Sequence, residues 1–373
     1  MPIMSAAAES AWAAKTPMPK AAVFFKAEVV NNKIYVFGPN VTYMYDLSSW
    51  LPKQPMPSYR GSFATATYQN RIYCIGGRTN IGPSAANEVY IPASDSWESK
   101  QAMPTPRHGL DANVVNDKIY LISGLVPDNP DNRWPNVNVD AYSSYILTNV
   151  TEVYDPSTDS WTTKAPIPKA VSYYSSAVID NKIYIFSDYF KQKDGTYESL
   201  TQIYDPNTDT WSNGNPPPYA VDMAGCAVIA NSDSKRIYVI GGRSWSLQVA
   251  YNQIYDPATD SWSLGAPLPT PRYALAVCSL NNKIHTFGGY QGAFGTVSLR
   301  ADNEQYDPSK DITSPIITSP TPTLTQLPTI NTGPEPPQTD PFPTTLAVAS
   351  IVSLAIVGVA LLVYFKKRKS KVG

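Results

Sequence analysis

The chain has 373 residues, with 29 Lys and Arg against 30 Asp and Glu and a formal charge of −1. That balance gives no electrostatic footprint for nucleic acid, which needs a basic face against the phosphates. Five of the basic residues lie beyond residue 345, so residues 1–345 carry 24 basic and 30 acidic groups and are net acidic by six. Three Cys and two His leave no Cys/His cluster with metal-ligand spacing, so no metal or cofactor is expected.

In chain order, residues 1–25 hold no basic n-region and no long apolar stretch, so no secretory signal is visible there. From residue 33 one pattern recurs six times. Its first element reads KIYVFGP (33–39), RIYCIGG (71–77), KIYLISG (118–124), KIYIFSD (182–188), RIYVIGG (236–242) and KIHTFGG (283–289). Its second element ends at Tyr45, Tyr90, Tyr154, Tyr204, Tyr255 and Tyr306, and a Trp follows at Trp50, Trp97, Trp161, Trp211 and Trp262. A period near 50 residues made only of strand-like pieces predicts an all-β, six-bladed β-propeller, with one four-stranded antiparallel sheet per repeat. Each unit reads as a small apolar strand a, the KIY strand b, a strand c ending at the Tyr, and a strand d carrying the Trp. The recurring Tyr and Trp are expected to pack between neighbouring blades.

The sixth repeat lacks its Trp, and Trp12 followed by Pro17-Met18-Pro19 supplies that order at the other end of the chain. The N-terminal segment is therefore expected to form strand d of the last blade and close the ring. This divides the chain into a tail at 1–9 and a propeller at 10–312.

The pattern resembles the kelch repeat in its Gly pair after strand b and its spaced Tyr and Trp, over about residues 10–312. Gly38-Pro39, Ser123-Gly124 and Ser187-Asp188 depart from the Gly pair. The resemblance implies a six-bladed kelch-type fold. Some kelch-type propellers are copper oxidases with two His ligands. His285 replaces the Tyr of a KIY strand and is expected inside a sheet, which excludes that site.

Beyond the repeats, residues 311–345 hold nine Pro and ten Thr with no Lys or Arg, which reads as an extended stalk, assigned to 313–345. Residues 346–365 are uncharged, long enough to span a bilayer, and are followed by a basic tail at 366–373. Such a tail predicts a cytoplasmic C-terminus and an outward propeller at the cell membrane. The arrangement resembles the anchors of prokaryotic, including archaeal, cell-surface proteins. An outward propeller needs a signal that has been removed or that precedes this start.

Successive turns of an antiparallel sheet alternate between edges, so the b–c loops and d–a connections share one face. That face is expected to bind a protein or glycan partner. Its candidate residues are Arg60, Arg107 and Arg272, which share one register before strand a, with Arg78, Arg243, Arg133, Trp134, Tyr189, Phe190, Trp245 and Tyr290 from the b–c loops. Asn40 and Asn149 stand in sequons and are candidate glycosylation sites. A non-catalytic binding module is the primary expectation. The alternatives are a structural cell-envelope protein, or a sugar-modifying enzyme like the kelch-type sialic acid epimerases. The enzyme would use Lys26 and Asp111, which share a register in strand a and would face the axial channel.

Overall fold

The computed structural model describes residues 10–317 except 40, 129–144, 192–195, 232–233, 245–246, 293–297 and 312–315. The proposed stalk beyond 317, the apolar span 346–365 and the basic tail lie outside the described residues. Among the described residues no helix is long and apolar enough to cross a membrane.

Six four-stranded antiparallel sheets form the body of the molecule. Their inner strands a are Lys26–Val30, Ala64–Tyr68, Asp111–Val115, Ser175–Ile179, Gly225–Ala230 and Ala276–Leu280. In blades 1, 2, 3, 4 and 6 strand a is joined to strand b by a tight turn. In each of these, two adjacent residues of that turn take positive φ, as at Asn31-Asn32, Asn116-Asp117 and Asn281-Asn282. Asn and Asp tolerate that left-handed conformation, and such turns match the twist of the flanking strands. The b–c pairs run from Lys33–Gly38 with Val41–Tyr45 in blade 1 to Lys283–Phe287 with Asn303–Tyr306 in blade 6. The sixth blade is completed by Trp12–Ala14, which pairs with Asn303–Tyr306 in the register Trp12↔Tyr306. The ring is closed by the N-terminal strand, as its sequence predicts. At the other end, Ile316–Ile317 adds a short fifth strand to blade 5, outside Ser261–Leu264.

Six apolar clusters fill the spaces between blades. One joins Tyr120 and Ile122 of blade 3 to Ile183, Ile185 and Tyr204 of blade 4. The repeat Tyr lie at their centres with no more than 1% exposure. Each of the five repeats that ends in Tyr-x4-Asp also builds a polar latch to the preceding blade. The Asp carboxylate accepts from the Tyr hydroxyl and from one backbone N–H at the end of the preceding strand d. The carbonyl of that same residue accepts from the Trp indole. Gln54, Gln101, Ala165, Asn215 and Ala266 are the five residues held in this way. Asp311 is the last of the five Asp, so the propeller reaches residue 311. Blade 1 lacks the Asp; Tyr45 donates instead to the Leu47 carbonyl, and Trp50 reaches Thr16.

Candidate functional site

The b–c loops and d–a connections do share a face, because they bridge each other there: Gly61 pairs with Arg78, His108 with Leu125, Asp222 with Arg243 and Tyr273 with Tyr290. Small hairpins rise from it in blades 2, 3, 5 and 6, and in blade 4 strands b and c themselves extend. Where the Gly pair ends strand b, the chain turns sharply beneath this face. Gly77 has φ +103°, and a Cβ there would stand 2.9 Å from the Gly61 carbonyl oxygen, so a side chain is excluded.

Arg60, Arg107 and Arg272 do not line this face. All three are fully buried. Arg107 donates to the carbonyls of Ser123 (2.9 Å), Leu121 (3.0 Å) and Thr105 (3.0 Å), and its guanidinium is ion-paired with Glu152. Arg60 repeats this with the carbonyls of Gly76 and Cys74 and the carboxylate of Glu88. Arg272 meets Glu304 at 2.8 Å and the Thr286 hydroxyl at 2.8 Å. The expectation of an open rim fails because the long side chain turns inward, along the end of its own strand b, and donates to backbone carbonyls there. Its partner is legible in sequence. The three blades with Arg carry Glu two residues before the repeat Tyr (Glu88, Glu152, Glu304). Blades 4 and 5 carry Val171 with Gln202 and Val221 with Gln253. Those Gln side chains bond the backbone of Lys169 and Tyr219 instead.

The other predicted residues divide. Arg78 lies over the Tyr145 ring at 5.2 Å, and Arg243 holds Asp222 through two contacts (3.0 and 2.5 Å) below the Tyr273 ring. Tyr290 packs on Tyr273 and Phe24, with ring centroids 5.4 and 5.9 Å apart. These three belong to the face. Tyr189 and Phe190 continue strand b of blade 4, paired with Glu198 and Tyr197. Arg133, Trp134, Trp245 and Asn40 lie outside the described residues. Asn149 is exposed. Sequence reasoning missed the exposed apolar residues of the hairpins: Ile81 (76% exposed), Leu247 (63%), Leu299 (49%) and Ile146 (48%) all stand on the hairpins of this face.

At the centre of the face lies an axial cup. One residue per blade, just before strand a, takes a left-handed conformation with φ between +51° and +65°: Phe24, Ser62, Gly109, Tyr173, Met223 and Ala274. Each donates its N–H to the carbonyl of the equivalent residue in the preceding blade, at 2.8–3.3 Å, so six backbone hydrogen bonds form a closed circle around the axis. The strain of five non-glycine residues at positive φ is over-determined by that circle. Across it, the rings of Phe24 and Tyr173, from opposite blades, meet at 6.0 Å.

Below this rim, the cup is walled by the next residue of each blade and floored by Lys26, with about 440 Å³ of open space including its mouth. Lys26 and Asp111 do share a register, opposite Phe37 and Ile122. They meet across blade 2, Nζ to Oδ1 at 2.9 Å. Ser176 donates to Asp111 Oδ2 at 2.9 Å, and the Asp111 N–H donates to Tyr174 Oη. One layer down, Glu28 accepts from Thr65 and Thr67, both at 2.7 Å. Burial raises the Glu28 carboxyl above its usual range; the two hydroxyls oppose that shift, Asp111 adds to it and Lys26 opposes it.

His285 is buried in its sheet as predicted, and His108 is buried beside Tyr145 and Tyr173. Burial holds both imidazoles down at about 4. The three Cys are free, and burial pushes their thiols up. No cluster of three metal-ligating side chains occurs among the described residues.

A family model described as the Attractin/LZTR1 beta-propeller matches residues 72–308, more than half of the chain, and the protein belongs to that family of kelch-repeat propellers. Human Kelch repeat and BTB domain-containing protein 12 is 29% identical over 167 residues, which is 40% of this chain and 27% of that protein. Human Kelch-like protein 4 is 58% identical over 38 residues, 10% of this chain and 5% of that protein. The chain thus spans about a quarter or less of the length of these curated relatives. A solved structure described as "Structure of YjhT" superposes with a TM-score of 0.63 at 16% identity, covering 77% of this chain and 95% of that one. That likeness concerns the fold.

Proposed function

We propose that this chain is a membrane-anchored binding module that engages a protein partner through the hairpin face and does no chemistry. The carrying observation is the set of exposed Ile and Leu on the hairpins of blades 2, 3, 5 and 6, against c–d turns that are short and polar except at Leu47 of blade 1. Exposed apolar side chains gathered on one face of a rigid scaffold favour a protein partner over a glycan, whose hydroxyls need polar neighbours. The composition of 346–365 and the basic residues after it support a single span with the propeller outside.

The test uses the full chain in cells with a photo-crosslinking residue at Leu247 or, on the opposite face, at Ser157. Discrete adducts are expected from position 247. Adducts from 157 with none from 247 would mean that the functional face is the other one. Protease added to intact cells should release the propeller; cleavage only after lysis would overturn the outward orientation.

A further inference from the structure

The cup has one charged group in its lining, the Lys26 ammonium, and that group is bound to Asp111. Its walls are apolar, and Phe24 and Tyr173 reach over its mouth. The enclosed room is only about 60 Å³, so a ligand occupies the open mouth as well as the cup. What such a hollow can take is limited by charge. A simple anion docking on Lys26 would displace Asp111 and leave that carboxylate unpaired. A simple cation docking on Asp111 would strand the ammonium. Either leaves an uncompensated charge in a half-dry cavity, which is costly. A molecule carrying both charges on adjacent atoms leaves neither unpaired.

We propose that the axial cup is a binding site for a small zwitterion with an apolar side chain, an α-amino acid of the aromatic or branched aliphatic kind. Its carboxylate takes the place of Asp111 on Lys26, and its ammonium takes the place of Lys26 on Asp111. The two sides are unequally fixed. Asp111 is held by the Ser176 hydroxyl on Oδ2 and by its own N–H on Tyr174, so it stays, with Oδ1 presented to the ligand. Lys26 has four methylenes, three donors and only the Asp111 contact among the described residues, so it moves aside to admit the ligand. The ligand's side chain points up into the apolar wall, where the tilted pair Phe24–Tyr173 closes over it. The site lies below the hairpins and is independent of the partner proposed above.

Calorimetric titration of the full chain in detergent tests this with four probes. L-Phenylalanine and L-leucine should bind saturably. 3-Phenylpropionate, which lacks the ammonium, and phenethylamine, which lacks the carboxylate, should each bind at least about tenfold more weakly than phenylalanine, because each leaves one partly buried charge unpaired. Lys26→Met and Asp111→Asn should both abolish phenylalanine binding. The proposal is overturned if neither amino acid binds, if either single-charge analogue binds as tightly as phenylalanine, or if a variant that still melts cooperatively binds unchanged. Should both variants fail to fold, the comparison of the four probes on the unaltered chain decides.

Discussion

The carboxylate of Asp260 accepts the backbone N–H of Asn215 at 2.7 Å, and Trp262, two residues later, donates to the carbonyl of that same Asn215 at 2.8 Å. One peptide position of blade 5's neighbour is thus gripped from both sides, while Tyr255 donates to the same Asp260 oxygen. Replacing Asp260 by Ala removes the acceptor of two partly buried donors, which should cost about 1–3 kcal/mol. Tyr255→Phe loses only one hydroxyl bond and should cost less. Thermal unfolding of the two variants measures this; equal losses, or no loss for Asp260→Ala, would remove the Asp from the latch.

Much of this arrangement was legible in the chain. The Tyr-x4-Asp spacing recurs in five repeats, and the Trp recurs with it, because each blade must grip the last. The circle of left-handed residues was not legible. Phe24, Ser62, Gly109, Tyr173, Met223 and Ala274 share no residue type, and their conformation is imposed by a hydrogen bond from another blade. The three Arg were found by register but misplaced, since burial depends on a Glu some 30 to 45 residues away whose recurrence was overlooked. The Lys26–Asp111 register was legible from counting back along strand a; their direct contact, which joins blades 1 and 3, follows from ring closure.

Deleting residues 1–20 should open the propeller. Trp12 and its strand pair with Asn303–Tyr306, and the Trp50 indole and the Asn303 amide both use the Thr16 carbonyl. Their loss exposes the edge of strand c in blade 6, which invites edge-to-edge association. The truncated chain should melt at a lower temperature and elute as aggregates in size-exclusion chromatography. Unchanged melting with the elution of the intact chain would refute the closure by this strand.

Asp188 stands where four of the other five blades carry the second Gly of the pair. Burial raises its carboxyl, nearby Asp222 raises it further, Arg243 opposes, and the result is pushed up to about 7. In the unfolded chain an Asp ionises near ~3.9. The folded state therefore holds the proton more tightly, and this contribution to stability is full below about pH 4 and is lost as pH rises through about 7. Asp188→Asn, a neutral isostere, should stay constant over that window. The melting temperature of the variant minus that of the parent should grow between pH 4 and pH 8. A gap that does not change with pH would show that Asp188 is not the titrating group. The two buried imidazoles act oppositely, removing stability as pH falls from about 6.5 towards 4, and they cancel in this difference.

The repeats themselves supply the test of the buried Arg. Arg107→Ala leaves Glu152 buried without its guanidinium, and losing one member of a buried ion pair should cost about 3–5 kcal/mol. Glu152→Gln alone should also destabilise, because Arg107 then keeps its charge with only backbone carbonyls around it. Blades 4 and 5 show another solution at the same two positions, Val with Gln, in which the Gln bonds the backbone two residues before the Val. In blade 3 that backbone belongs to Thr105. The double variant Arg107→Val with Glu152→Gln should therefore be more stable than either Arg107→Val or Glu152→Gln alone, with a coupling of about 1–3 kcal/mol in a double-mutant cycle. Denaturant unfolding of the four proteins measures it. Additive losses would mean that Val and Gln at these two positions do not act as a pair in blade 3.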